Sequence, residues 1–259
     1  MPRKKNKDFW NKEYAKAEHL ALSEEPAEDL EKFTRFLQRQ SGKEFLNVTR
    51  RFVDIGCGNG RNAMWLAQTF GMHGLGYDAS REAIAQARTA LTTIYGTNTN
   101  TRHPMSGVSE KPQLAFTVRD LKEPIPLPDG SVTIALDMMA SHVLKRAERE
   151  ALRTEILRVL KPGGWLFFKT FLRDEDRNAE ALLKEFPGPE DGMYIHPEIK
   201  KPEYVWWERD LYEFFASPAV ASEGGSHFTI HKLERSHKHI NKKGGAWKRR
   251  TASVYLQKH

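Results

Sequence analysis

A single cysteine, Cys57, stands in the 259 residues, which excludes an internal disulfide and fits a reducing cytoplasm. No apolar run approaches the ~20 residues of a membrane helix, so no membrane partner is expected. The basic start Met1-Pro2-Arg3-Lys4-Lys5 is followed by no apolar signal core, which argues against secretion. No internal repeat is visible. Acid is scarce at the far end: from Ser226 to His259, Glu234 alone faces nine Lys/Arg. That local excess of eight exceeds the net +7 of the whole chain, so the body is near neutral and the C-terminus carries a basic element. Hydrophobic content of 39% and charged content of 29% suit a globular protein able to bury a sizeable core.

The chain is organised around Arg51-Phe52-Val53-Asp54-Ile55-Gly56-Cys57-Gly58-Asn59-Gly60-Arg61-Asn62-Ala63-Met64-Trp65-Leu66-Ala67. Phe52, Val53 and Ile55 read as a buried parallel strand. Ala63, Leu66, Ala67 and Phe70 repeat at helical spacing, so a helix comes next. Glycines between them permit a tight turn and let a ligand approach the backbone at a helix N-terminus. A dinucleotide fingerprint would need glycine at position 61, where Arg61 stands. The pattern acid-x-Gly-x-Gly-x-Gly, with Asp54 two residues ahead of Gly56, instead resembles the first motif of class I S-adenosylmethionine-dependent methyltransferases.

The remainder of the chain agrees with such a fold. His73 to Tyr77 is a second strand ending at Asp78-Ala79-Ser80, and Ser80 to Thr92 a helix with Ile84, Ala87 and Leu91 inward. Gly96 to Pro112 lacks periodicity and reads as disorder or a rim loop. Leu114 to Val118 is a third strand, followed by Asp120-Leu121. Val132 to Asp137 is a fourth, ending in Met138. A helix bearing Leu152, Ile156, Val159 and Leu160 stops at Lys161-Pro162-Gly163-Gly164, and Trp165 opens a fifth strand. Phe171 to Tyr204 is a polar insertion, and Trp207 to Phe215 a last helix. Phe228–Arg235 and Thr251–Leu256 can pair as a hairpin. Ahead of the core, Phe9 to Tyr14 reads as a short helix. Ser23-Glu24-Glu25-Pro26 reads as the start of another, burying Leu30, Phe33, Phe36 and Leu37.

The resemblance covers residues 47–171 specifically and is nearest to the methyltransferase type 11 and tellurite-resistance-like branch. It implies a Rossmann-like, doubly wound, mostly parallel seven-stranded sheet with a C-terminal antiparallel hairpin and an N-terminal helical segment. The expected division is an appendage or lid over 1–44 and a methyltransferase domain over 45–259. That domain holds an insertion at 171–206 and a basic hairpin at 228–258. S-adenosyl-L-methionine is the implied cofactor, with S-adenosyl-L-homocysteine as product. Its candidate contacts are Asp54, Gly56, Cys57, Gly58, Asn59, Gly60, Asn62, Asp78, Ala79, Asp120, Leu121, Asp137 and Met138. Asp78, 22 residues after Gly56, is expected to accept from the ribose hydroxyls, and Asp120 from the adenine amine. Cys57 also reads as a small packing residue.

Methyl transfer from a sulfonium is an in-line displacement needing alignment and dryness, and no metal. The lone cysteine in the glycine turn excludes cysteine-nucleophile pyrimidine chemistry and arsenic methylation. Asp137-Met138-Met139-Ala140 lacks the Pro-Pro-aromatic used on exocyclic base amines. Candidate bases are His142, which also suits a helix cap, and His196. Acceptor-site candidates are Trp10, Tyr14, Tyr194, Trp206 and Trp207, one of the last two being core. A small or modest-sized acceptor, an anionic one included, is the leading expectation. The alternative is an RNA or ribosomal acceptor held by the basic residues at 242–250 around Trp247. A non-catalytic cofactor-binding scaffold is the third.

Overall fold

The computed structural model describes residues 4–16, 18–19, 22–96, 112–216, 227–236 and 249–259. Its strands form a seven-stranded sheet, β1 (Arg51–Ile55), β2 (His73–Asp78), β3 (Leu114–Val118), β4 (Val132–Met138), β5 (Leu160–Leu172), β8 (Phe228–Ser236) and β9 (Arg250–Lys258), in the order β3-β2-β1-β4-β5-β9-β8. A separate two-stranded sheet pairs β6 (Met193–Ile195) with β7 (Pro202–Tyr204). The order reverses between β1 and β4, and in open α/β sheets ligands bind beyond the carboxyl ends of strands at such a switch. Packing divides the chain into two compact units: Met1–Glu123 with Val132–Leu136, and Pro124–Ser131 with Asp137–His259.

In the first unit β1, β2 and β3 run parallel, Val53 opposite Leu75 and Leu75 opposite Ala115. Helix α3 (Arg61–Phe70) comes after β1, and α4 (Arg81–Tyr95) after β2. Phe52, Val53, Ile55, Ala63, Leu66, Ala67, Ile84 and Ala87 are buried as their spacing requires, while Leu91 is half-buried. Two helices precede the sheet, α1 (Lys4–Lys16) and α2 (Glu28–Ser41). Helix α2 buries Leu30, Phe33 and Leu37 and half-buries Phe36. It starts later than Ser23-Glu24-Glu25-Pro26 suggested. Ser23 spends its hydroxyl on the Glu25 N–H at 3.1 Å, and the acids of the first turn are Glu28, Asp29 and Glu31.

In the second unit β5 pairs antiparallel with β9, Phe168 opposite Val254, and β8 pairs with β9 across a bulge at Ile230/Lys232. The C-terminal hairpin expected from alternation is therefore present. Helix α5 (Arg146–Val159) buries Leu152, Ile156 and Val159, but Leu160 already belongs to β5. Lys161-Pro162-Gly163-Gly164 thus lies inside the strand rather than between helix and strand; Gln257 Nε2 donates to the Gly163 carbonyl at 3.2 Å. The insertion is more ordered than its polarity suggested. It forms α6 (Arg177–Glu185) and the β6/β7 pair around a small core of Ala179, Leu182, Tyr194 and Val205. Helix α7 (Glu208–Ala216) comes next. Most of the Gly96–Pro112 stretch lies outside the described residues.

Candidate functional site

The turn after β1 is built on positive φ. Gly58 has φ 56°, and a methyl group there would overlap the Tyr14 hydroxyl. Gly60, at φ 78° and ψ 7°, is the N-cap of α3; a Cβ would sit 2.6 Å from the Phe116 ring. L side chains rarely adopt this conformation, so glycine is required at both positions. Gly56 shares the conformation, and the turn is closed by Cys57 N–H to Tyr77 O and Gly60 N–H to Cys57 O, each 3.0 Å.

Asp78, at the carboxyl end of β2, holds this turn in place. Its Oδ2 accepts the Gly58 N–H at 3.0 Å and its Oδ1 the Ser80 N–H at 2.8 Å. Burial pushes its carboxyl up, and these backbone donors pull it partly back. Each oxygen keeps a lone pair after these bonds. Ser80, not Asp78, caps α4, its Oγ accepting from Ala83 N–H at 3.1 Å. Asp54 is 2% exposed within β1. Cys57 is buried, its thiol pushed well up by burial, and it packs as a small residue. Ala79 and Leu121 are half-buried, and Asp120 sits in a turn, accepting from Lys122 N–H at 3.2 Å.

Helix α1 closes over the turn. The Tyr14 hydroxyl reaches Gly58 and is kept in its neutral form first by burial and then by Asp78. Asn11 Oδ1 accepts from Ser80 Oγ at 3.0 Å and Glu82 N–H at 3.2 Å, and Gln86 Nε2 donates to the Tyr14 carbonyl at 2.6 Å. Trp10 is half-buried, edge-on to Phe9 at 5.2 Å. Asn59, Arg61 and Asn62 face the segment before α2. Asn59 donates to Ser23 O at 3.1 Å, Arg61 to Glu25 O at 2.7 Å, and Asn62 Oδ1 accepts from Ala27 N–H at 3.0 Å. Sequence reasoning missed Asn11 and Gln86; for Asn11 the signal available was the first turn of α4, where the Ser80 cap takes the Ala83 N–H and leaves the Glu82 N–H needing another acceptor.

The second unit gathers the other candidates. Asp137 is 2% exposed, accepts the Ser141 N–H at 3.1 Å and is pushed up by burial to about 6. Met138 is half-buried beside it. Met139 has φ 62°, a costly conformation for methionine. His142 lies three residues on, 6% exposed, in a short 3₁₀ turn (Ser141–Val143). It does not cap α5, whose N-cap is Lys145. One ring nitrogen is bonded to the Met139 backbone, and Nδ1 is buried without a partner. Burial lowers its pKa below the ordinary histidine value, so the ring is a neutral acceptor.

His142 lies edge-on to Phe171 at 5.2 Å, and the Arg249 guanidinium lies over the same ring at 4.1 Å. Arg249 donates to the Tyr194 hydroxyl, which donates to Glu203. Of this cluster, Tyr194 and His142 are among the candidates named from the sequence; Phe171, Glu203 and Arg249 are not. Arg249 was counted with the basic stretch at 242–250, whose Lys242, Lys243, Trp247 and Lys248 lie outside the described residues. Arg249 turns inward at 13% side-chain exposure, and Arg250 pairs with Glu175 at 2.6 Å. His196 accepts from Glu198 and Ile199 N–H at 3.2 and 3.3 Å, a turn-holding use of Nδ1. Trp206 is core at 3% exposure; Trp207 is half-buried with the guanidinium of Arg173 4.3 Å from its ring.

Residues 52–164 match the model of a family described as a methyltransferase domain. The chain is 25% identical over 161 residues to a fatty-acid O-methyltransferase of Mycolicibacterium smegmatis, covering 62% of this chain and 51% of that protein. It is 27% identical over 165 residues to a glycine/sarcosine/dimethylglycine N-methyltransferase of Actinopolyspora halophila, covering 63% of this chain and 26% of that protein. The chain thus spans about half the length, or less, of these relatives. A SAM-dependent methyltransferase structure from Methanosarcina mazei superposes with a TM-score of 0.60 at 21% identity, over 80% of this chain and 91% of the other.

Proposed function

We propose that residues 52–164, which match a methyltransferase-domain family, form a class I S-adenosylmethionine-dependent methyltransferase domain, and that the protein methylates a small, carboxylate-bearing acceptor. The observation that carries the reading is the turn at Gly56–Gly60, held by the buried carboxylate of Asp78. These residues fit the cofactor. A positive-φ glycine turn at the start of α3 admits a ligand to the backbone, and Asp78 retains acceptor capacity for hydroxyls. When bound, S-adenosylmethionine supplies a methyl group on a sulfonium, ready for displacement. Gly56, Gly58 and Gly60 would cradle it, Asp78 and Ala79 would hold its ribose, and Asp120 and Leu121 its adenine. Tyr14 and Trp10 exclude water. His142, neutral with Nδ1 open, accepts a proton from the acceptor.

The relatives named for a fatty acid and for glycine share an acceptor bearing a carboxylate, which supports a small acidic molecule over RNA. The experiment is titration of S-adenosylhomocysteine into wild type and Asp78→Ala. Losing a charged acceptor costs about 1.5–3 kcal/mol, so the variant binds roughly tenfold or more weakly while remaining folded. Equal affinities would remove Asp78 from the site.

A further inference from the structure

Arg249 carries more unused hydrogen-bonding capacity than a structural arginine needs. It is 13% exposed and packed against the Phe171 and Tyr194 rings at 4.1 and 5.3 Å. Only Nη1 has a hydrogen-bond partner, Tyr194; Nε and Nη2 are buried with none among the described residues. Nε and Nη2 are the two nitrogens of one guanidinium edge, and that edge presents parallel N–H groups matching both oxygens of a carboxylate. Leaving charged donors buried and unmade is costly, and a carboxylate on that edge would satisfy both nitrogens.

Two acids stand near without taking that edge. Asp176 Oδ2 lies 3.7 Å from Nε, and Glu203 Oε2 3.6 Å from Nη1. Asp176 is committed to the start of α6, accepting from Asn178 and Ala179 N–H, and to Arg250 N–H at 2.8 Å. Glu203 accepts from Tyr194. Counting Arg249, Asp176 and Glu203, one guanidinium stands against two carboxylates, a surplus of negative charge. A ligand that brings only a carboxylate is repelled by that surplus; one that also carries an amine is not. The neutral His142, open at Nδ1, abuts the same Phe171 ring and suits the amine end.

We infer that the second unit holds an amino-acid subsite, in which Arg249 Nε and Nη2 bind the acceptor's carboxylate and His142 Nδ1 takes a proton from its ammonium. This rests on the methyltransferase reading and deepens it. The freed nitrogen lone pair forms the new N–CH3 bond as the methyl–sulfur bond breaks, its electron pair going to sulfur. The proton remains on His142 until solvent removes it. Nothing further is consumed.

The test is methyl transfer by the full chain from radiolabelled S-adenosylmethionine to matched pairs: glycine against acetate, β-alanine against propionate, 4-aminobutyrate against butyrate. S-adenosylhomocysteine binding is measured on every variant. Amino acids are expected to be methylated and the plain acids not. Arg249→Gln and Arg249→Lys should raise KM for the amino acid ten- to a hundredfold, with S-adenosylhomocysteine affinity unchanged. Glu203→Gln, which keeps the Tyr194 bond and removes one charge, should shift selectivity toward the plain acid. Plain acids methylated as well as amino acids, or an unchanged KM in both Arg249 variants, overturns the subsite. Cofactor binding with no turnover of any amino acid does the same. Failure of wild type to bind S-adenosylhomocysteine overturns the methyltransferase reading instead.

Discussion

Asp137→Asn should stabilise the protein at neutral pH, by an amount that disappears in acid. The carboxyl at the end of β4 is buried, and its pKa rises from 3.8 to about 6, burial outweighing the Ser141 hydrogen bonds. A folded-state pKa above the unfolded one favours the folded state fully below 3.8. That advantage is lost as pH rises through the folded value near 6. At 1.36 kcal/mol per pH unit the loss is about 3 kcal/mol. Asparagine keeps an oxygen for the Ser141 N–H, 3.1 Å away in the wild type, and never ionises. Urea denaturation at several pH values between 3.5 and 8 measures the difference between variant and wild type. The expected difference grows with pH and levels off above about 7. A difference that is flat, or that grows toward acid, refutes the assignment of a buried, destabilised carboxylate.

Gly58→Ala should lower stability by roughly 1–2 kcal/mol from backbone strain at positive φ, plus the displacement of Tyr14. A cycle with Tyr14→Ala should recover part of the loss, and strict additivity would show that the two do not touch. The pH profile of kcat/KM should show an acid limb below 6.5, because burial lowers the His142 pKa; His142→Gln should lower the rate about 10²–10⁴-fold and abolish that limb, and a variant keeping the limb would exonerate His142. Arg158→Ala removes bonds to the Ile125 and Leu127 carbonyls, each 2.9 Å, and to Glu155 and Asp129. Urea midpoints should report a loss of roughly 1–3 kcal/mol, and a change below 0.5 would mean that water replaces the arginine.

The sheet was legible because burial imposes patterns on short runs. Phe52-Val53-Asp54-Ile55 and Leu114 to Val118 announce strands, and the glycine turn marks the passage from the first of them into helix α3. Helix ends were less so: Pro26 and the neighbouring acids suggested a start that Ala27, held by Asn62 from 35 residues away, places later. Helix α6 hid in a polar stretch because only Ala179 and Leu182 of its residues are buried. Arg249 could not be read at all. Its local surroundings are basic, and its partners Tyr194, Glu203 and Asp176 lie 46 to 73 residues away in the sequence, joined to it only by the fold.

The central claim is that Gly56–Gly60 and Asp78 cradle S-adenosylmethionine rather than a dinucleotide, Arg61 standing where the dinucleotide turn needs glycine. Isothermal titration of the full chain with S-adenosylmethionine and, separately, with NAD tests it most directly. Saturable one-site binding of S-adenosylmethionine with no heat from NAD is the predicted result; NAD binding in its absence would contradict the account.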